Sequence, residues 1–354
     1  MEAGVQSRGE AAGSGNSRGS DPCSRISPGR GRAVRETGSS NPIFIIGVHR
    51  SGTTLLRYML SSSPRIYIPP ESDFIPRFFG RAPLAPLNES RVRKILHIIF
   101  TRYRFVKEWQ GEPPDPARFF HEMPAPTPAG FLETLYRMYA RQYGAVRWGD
   151  KTPIYTSYVD LIHRIFPEAQ FIHIIRDGRD VALSMLEKWG RREFHIDVYF
   201  AARTWVRRIR QARAAGARLG PRLYHELRYE DLVLDPEKEL RAICAFLNEP
   251  YLPEMAQHHR LARKRIRPGD FHDPVRQPPN PGRVGRWRRE MSPADLRLVQ
   301  RVAGPLLVEL GYGLADLGPM SPSERARYAA LAGKYLILQS GRRVLQAVGV
   351  LPPI

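Results

Sequence analysis

Cysteine is scarce. The chain has two in 354 residues, Cys23 and Cys244, too far apart in context to suggest a disulfide framework, so a reducing compartment is expected. Long apolar runs are missing too. No stretch approaches the ~18 uninterrupted apolar residues of a membrane-spanning helix, and the N-terminus has no apolar core of the kind a signal peptide needs. Together these absences give a cytoplasmic location as the expectation. Acid is in deficit: 35 Asp and Glu face 55 Lys and Arg, a formal net charge of +20 that calls for an anionic partner. No zinc finger, basic zipper or aromatic RNA-binding signature accompanies that charge, so no specific nucleic acid is expected. Internal repeats are absent, and no His/Cys cluster has the spacing of a metal site.

Residues 1–40 are short of large apolar side chains and rich in Gly, Ser, Arg and Glu, which leaves nothing to offset the entropy of ordering. A disordered tail is expected there. From 41 to 317 apolar runs recur often enough for one core near the upper size limit. Residues 318–354 read as a separate basic amphipathic helix, over about 323–348, with Leu331, Tyr335, Leu338, Val344, Leu345 and Val348 among Arg and Lys. Such a helix fits peripheral contact with an anionic membrane, docking on its own domain, or pairing in a homodimer, and the sequence leaves these open.

What is present is concentrated first in residues 42–56: an apolar β run, a turn with two glycines, and the start of an apolar helix. Gly47 and Gly52 have four residues between them, the spacing of a P-loop whose backbone N–H groups and helix N-terminus wrap an oxyanion. The lysine of a nucleotide triphosphatase is missing after the second glycine. Thr53 and Thr54 stand there instead, and the positive charge moves upstream to Arg50. A P-loop kinase is therefore the rival enzyme reading, weakened by the lost lysine and by Arg176 standing where a magnesium aspartate would be; no metal is expected. A non-catalytic basic protein binding nucleic acid or lipid is the rival from charge alone.

The remaining pattern alternates strand and helix. Apolar runs at 66–68, 171–175 and 223–227 read as strands. Helices are expected over 53–62, 88–108, 129–143, 180–189 with Asp180 as its cap, 236–248 and 292–311, with a basic helix around Trp205 and Ile209 and a Pro-rich link at 113–128. That alternation gives an α/β fold, a P-loop-type three-layer domain with a mostly parallel central sheet flanked by helices. Arg50, Glu71 and Arg176 each follow a predicted strand, so all three are expected on one rim.

The loop His49-Arg50-Ser51-Gly52-Thr53-Thr54 resembles the Pro-Arg-Ser-Gly-Thr-Thr loop of sulfotransferases that use 3′-phosphoadenosine 5′-phosphosulfate (PAPS), nearest to the tyrosylprotein branch and its bacterial relatives. Only His49 departs, in place of proline. The resemblance implies that Arg50, Ser51, Gly52, Thr53 and Thr54 hold the 5′-phosphosulfate. It further implies that Arg176 and Ser184 hold the 3′-phosphate with Lys188 nearby, and that Tyr229, in Tyr229-Glu230-Asp231-Leu232, lies by the adenine. Gly282-Arg283-Val284-Gly285-Arg286-Trp287 is similar to a donor-covering loop, and either Arg283 or Arg286 supplies its charge.

The same resemblance makes Glu71 the base, since Glu71-Ser72-Asp73-Phe74-Ile75-Pro76-Arg77 resembles the branch's Glu-Thr-Arg-Val-Ile-Pro-Arg. Asp73 stands where that branch has arginine, which bears on the acceptor side. Lys151, in Gly149-Asp150-Lys151-Thr152-Pro153, is implied at the leaving oxygen with Arg50 assisting. The implied reaction is in-line transfer of a sulfuryl group to an acceptor hydroxyl on a carbohydrate, lipid, small molecule or peptide. The expected cytoplasmic location would separate the chain from the Golgi members of this family, which usually carry a membrane anchor.

Overall fold

Strand β1 (Ile43–Ile46) is Ile-Phe-Ile-Ile, buried along its whole length, and that lack of a polar face puts it in the middle of a sheet. The computed structural model describes residues 41–190, 196–270 and 272–347. The other strands are β2 (Ile66–Tyr67), β3 (Arg147–Lys151), β4 (Gln170–Ile175) and β5 (Tyr224–Arg228). Their order is β2-β3-β1-β4-β5, and every pairing is parallel.

Alternate residues of β1 feed opposite faces. Ile43 and Ile45 pack with Leu56, Met59, Leu60, Ile172, Ile174, Leu240 and Ile243 on one side. Phe44 and Ile46 pack with Phe131, Leu135, Tyr136, Tyr139, Trp148 and Phe171 on the other. Helices thus cover both faces, giving the three-layer α/β architecture. A further cluster joins helix Val198–Leu219, through Trp205 and Ile209, to helix Pro293–Glu309 through Leu298, Val299 and Leu306.

The order also fixes where a ligand fits. From β1 the chain leaves toward β2, whereas from β4 it leaves toward β5, so β1 and β4 are adjacent strands with diverging exits. The crevice between their carboxyl ends is the topological switch point, and the loops bearing Arg50 and Arg176 meet there.

Several sequence expectations need correction. The helix over 88–108 breaks: Asn88 caps Glu89–Arg102 by accepting from the Arg91 N–H at 2.9 Å, and Arg104–Glu108 is a separate 3₁₀ turn. The Pro-rich link contains a helix, Pro116–Glu122, capped by Asp115. Lys151 is the last residue of β3, a strand missing from the sequence expectation. The helix after β4 is capped by Asp177 and spans Gly178–Met185, so Asp180 is inside it and Ser184 lies at its end, followed by a π turn at Leu186–Gly190. Helices Pro236–Leu247 and Pro293–Glu309 match the expectation closely, the first closed by Asn248 and the second followed by Gly311, both in left-handed backbone. The C-terminal helix is Pro322–Ala347. The expected tail at 1–40, the helix end at Val348 and Cys23 lie outside the described residues. Among the described residues no helix is long and apolar enough to cross a membrane.

Candidate active site

The loop after β1 is shaped by two left-handed residues, Arg50 at φ 74 and Gly52 at φ 97. A β-carbon on Gly52 would come within 2.4 Å of the Tyr229 ring, so glycine is required there on two counts. The loop delivers the chain into helix Thr53–Leu60, whose N-terminus has no side-chain cap and so presents its first N–H groups outward. Ser51 is wholly buried, and its Oγ has no protein partner among the described residues.

Arg176 follows β4 and reaches across the crevice. Its guanidinium donates to the Arg50 carbonyl at 3.1 Å, the Arg283 carbonyl at 2.6 Å and Asp180 Oδ2 at 3.3 Å, while its buried Nε has no hydrogen-bond partner among the described residues. The same guanidinium lies 4.6 Å from the Tyr229 ring centre. Arg50 Nε donates to Ser184 Oγ at 3.0 Å. Burial, then the charges of Arg176 and Arg283, lower the Arg50 pKa, the mark of guanidinium groups crowded with too little acid to balance them. A cleft of about 200 Å³ results, lined by Arg50, Thr54, Arg176, Ser184, Tyr229 and Arg283. An orphaned buried hydroxyl, an orphaned guanidinium nitrogen and an uncapped helix fit a phosphate-bearing nucleotide.

The sequence-predicted residues separate here. Arg283 lines the cleft. Arg286 does not: it is drawn to Glu187 and Glu290. Lys188 sits in the π turn beyond Ser184, off the cleft lining. Asp180 accepts from the Gly285 N–H at 2.8 Å and the Trp287 N–H at 2.9 Å as well as from Arg176. It fastens the 282–287 segment over the arginine, a role that a helix-start pattern concealed.

Lys151, only 2% exposed, joins this cleft to a second one. Its ammonium donates to Glu71 Oε1 and to Thr54 Oγ1, the latter at 3.3 Å. Burial raises the Glu71 pKa, but the Lys151 charge and hydrogen bond outweigh it, so Glu71 is held below the usual carboxylate range. Burial pushes Lys151 down despite Glu71. Glu71 is placed by its neighbour Ser72, whose N–H donates to Thr152 Oγ1 at 3.0 Å and whose Oγ lies 2.6 Å from the Tyr155 hydroxyl.

Asp73 has left-handed backbone at φ 53 and is exposed. The surrounding protein and the Glu71 and Asp150 charges still push its carboxyl up to about 6. His272 lines both clefts, and burial with the Lys151 charge holds it near about 3. No motif in the sequence marked His272, which directly precedes the 3₁₀ turn Asp273–Arg276. The second cleft, about 50 Å³, is also bordered by Glu71, Lys151, Arg57 and Arg104. Among the described residues no group of His, Cys, Asp and Glu is placed to hold a metal ion.

Fold and site define a class: a P-loop-type α/β domain whose anion loop lacks the triphosphatase lysine and whose switch point is lined by arginine and hydroxyl groups. The Sulfotransferase family model matches residues 42–253, and the chain belongs to that family of enzymes. It is 27% identical over 281 residues to the zebrafish (Danio rerio) protein-tyrosine sulfotransferase 1, covering 76% of this chain and 72% of that one. An uncharacterized Aquifex aeolicus protein is also 27% identical, over 71% of this chain but only 31% of its own length. In fold the chain is similar to the sulfotransferase domain of the Synechococcus olefin synthase, with a TM-score of 0.56 and 24% identity over 78% of this chain and 98% of that domain.

Proposed function

We propose that this chain moves a sulfuryl group from PAPS to an acceptor hydroxyl by in-line displacement, with Glu71 as the base. The observation carrying this reading is the meeting of Arg50, Thr54, Arg176 and Ser184 around one cleft, with Lys151, hydrogen-bonded to Thr54 and paired with Glu71, at its edge. Bound there, the nucleotide supplies the sulfuryl group and a phosphate leaving group. Arg176 and Ser184 grip the 3′-phosphate, while the N–H groups and hydroxyls of residues 51–54 hold the 5′ end beside Arg50. Tyr229 packs by the adenine and Arg283 closes the far wall.

Lys151 then has two partners to choose between. Without acceptor it neutralises Glu71; in transfer it turns to the oxygen between phosphorus and sulfur, where charge builds as that bond breaks. Glu71, released, takes the acceptor's proton as the acceptor oxygen bonds to sulfur. The protein-tyrosine names of the relatives favour a phenolic hydroxyl on a peptide, whereas Asp73, in place of that branch's arginine, favours a different acceptor; carbohydrate, lipid and small molecules remain in the same class.

Labelled sulfate transfer from PAPS into a whole-cell extract, with mass identification of the product, tests the activity. Glu71→Gln is expected to bind adenosine 3′,5′-bisphosphate like the unaltered chain and to transfer about 10²–10⁴-fold more slowly. Equal transfer by that variant removes Glu71 as base. Absence of bisphosphate binding by the unaltered chain removes the whole reading.

A further inference from the structure

Helix Pro322–Ala347 is held to the domain by one side only. Tyr335 is buried against Tyr199 and Phe200, with ring centres 5.7 Å and 6.0 Å apart, and Tyr328 meets Tyr199 at 5.3 Å. Leu331 and Ala332 pack into the same cluster, and the Gln339 side chain accepts from Arg207 at 3.1 Å. Charges along this seam are paired across it: Lys334 with Asp197 at 2.9 Å, Arg297 with Glu324 at 2.8 Å, and Arg327 with Asp295 at 2.8 Å.

At about 100° of turn per residue, Ala326, Ala330, Gly333, Ile337, Gly341 and Val344 fall on the opposite side of the helix. No charged residue falls there between Ala326 and Gly341. Ile337 is 74% exposed, Val344 61%, and Leu336 beside them 65%. Single apolar side chains in water are ordinary, but a charge-free stripe with large aliphatic groups on successive turns marks a surface that something covers.

Charge decides what the cover is. Helix Val198–Leu219 runs alongside and carries Arg203, Arg207 and Arg210 at i, i+4 and i+7, hence on one face. That face meets the C-terminal helix, since Arg203 lies 5.8 Å from the Tyr335 ring centre and Arg207 donates to Gln339. A row of bases, with Arg203 and Arg210 exposed, therefore borders the apolar stripe. A second copy of the chain would set the same bases, and another net charge of +20, against them. An anionic lipid surface would set phosphates against the bases and acyl chains against the stripe.

We propose that the outer side of helix Pro322–Ala347 docks on an anionic lipid surface, with Leu336, Ile337 and Val344 entering the acyl boundary and Arg203 and Arg210 meeting the headgroup phosphates. The helix lies in the plane of that surface, and the domain behind it takes the place of the polar face that such helices usually carry. This docking is independent of the transfer reading above.

The test is co-sedimentation of the full chain with vesicles of phosphatidylcholine alone and of phosphatidylcholine with about one-third phosphatidylglycerol. The chain is expected to bind the anionic vesicles and to bind the neutral ones about tenfold more weakly or less. The pair Ile337→Ser and Val344→Ser, which removes apolar surface without adding charge, is expected to weaken anionic-vesicle binding by about tenfold. Arg203→Gln with Arg210→Gln is expected to weaken it by a similar factor. Both serine sites face water, so thermal unfolding of that variant stays unchanged; if the arginine pair disturbs Tyr335 and unfolds early, the serine pair decides alone. Binding to neither vesicle, or equal binding to both, overturns the proposal. Anionic-vesicle binding that the serine pair leaves intact also overturns it, as the attraction of a basic protein for any anionic surface. A dimer by light scattering that the serine pair dissolves overturns it too, by making the stripe a contact between two copies.

Discussion

At the scale of single residues, the Glu71–Lys151 pair sets the acid–base behaviour. Two opposing influences act on Glu71: burial favours the neutral acid, and Lys151 favours the carboxylate and wins. Removing the ammonium while keeping the chain's bulk, as in Lys151→Met, leaves burial with only weaker opposition. The Glu71 pKa is then expected to rise from below the ordinary carboxylate value of about 4.3 to above it. The sign follows directly: the pH at which half the Glu71 is protonated moves up, so the acid limb of transfer moves up with it. Carboxyl ¹³C titration, with Glu71→Gln to assign the signal, measures this without needing turnover. An unmoved titration would show that the pair is not coupled in solution.

At the scale of elements, the donor cleft is assembled by ties between segments far apart in sequence, and Asp180 is the knot. One carboxylate joins Arg176 after β4 to the backbone of Gly285 and Trp287. Asp180→Asn keeps the shape but removes the charge, weakening three hydrogen bonds at once. The affinity for adenosine 3′,5′-bisphosphate is expected to fall by about tenfold or more, equivalent to about 1.4 kcal/mol. Calorimetry on the two proteins measures it, and equal affinity would mean that Arg283 and its segment hold their place without Asp180.

Elements also show what the sequence could disclose. β1 and β4 were legible because their apolar runs end in Gly47 and in Asp177-Gly178 turns, and the segments that follow them carry Arg50, Arg176 and Ser184 to one cleft. β3 was not. Arg-Trp-Gly-Asp-Lys has neither alternation nor an apolar run; it is a strand because β1 and β2 flank it, pairing Gly149 with Ile43 and Arg147 with Ile66. Arg147, 1% exposed, is accommodated only by distant partners, the carbonyls of Asn41 at 2.9 Å and Leu247 at 2.7 Å and the Glu249 carboxylate at 3.2 Å. Asp180 was misread for a similar reason. Its position near a helix start favours a cap, while its actual partners are Arg176 and, more than a hundred residues away, the backbone of Gly285 and Trp287. Arg283 and Arg286 are indistinguishable by spacing; what separates them is that Glu187 and Glu290 claim the second.

At the scale of the whole molecule, charge outlasts what the cleft alone uses. Many surface arginines are paired, as in Arg218–Asp160, Arg222–Glu168 and Arg241–Glu237, and exposed pairs of this kind add little stability. The formal net charge of +20 remains after every such pair is subtracted, since each pair sums to zero. Its consequence is long-range attraction of anions toward a cleft already crowded with Arg50, Arg176 and Arg283. Screening shortens that reach, from a Debye length of about 10 Å at about 0.1 M salt to about 3 Å at about 1 M. The association rate of adenosine 3′,5′-bisphosphate is therefore expected to drop by roughly tenfold between about 0.05 and about 0.5 M salt. Dissociation should change much less, because the side chains proposed to hold the phosphates, Arg176 and Ser184, are buried. Stopped-flow binding separates the two rates. An association rate flat in salt would mean that the surrounding basic surface does not steer the donor, and would leave the charge to the acceptor or to another anionic partner.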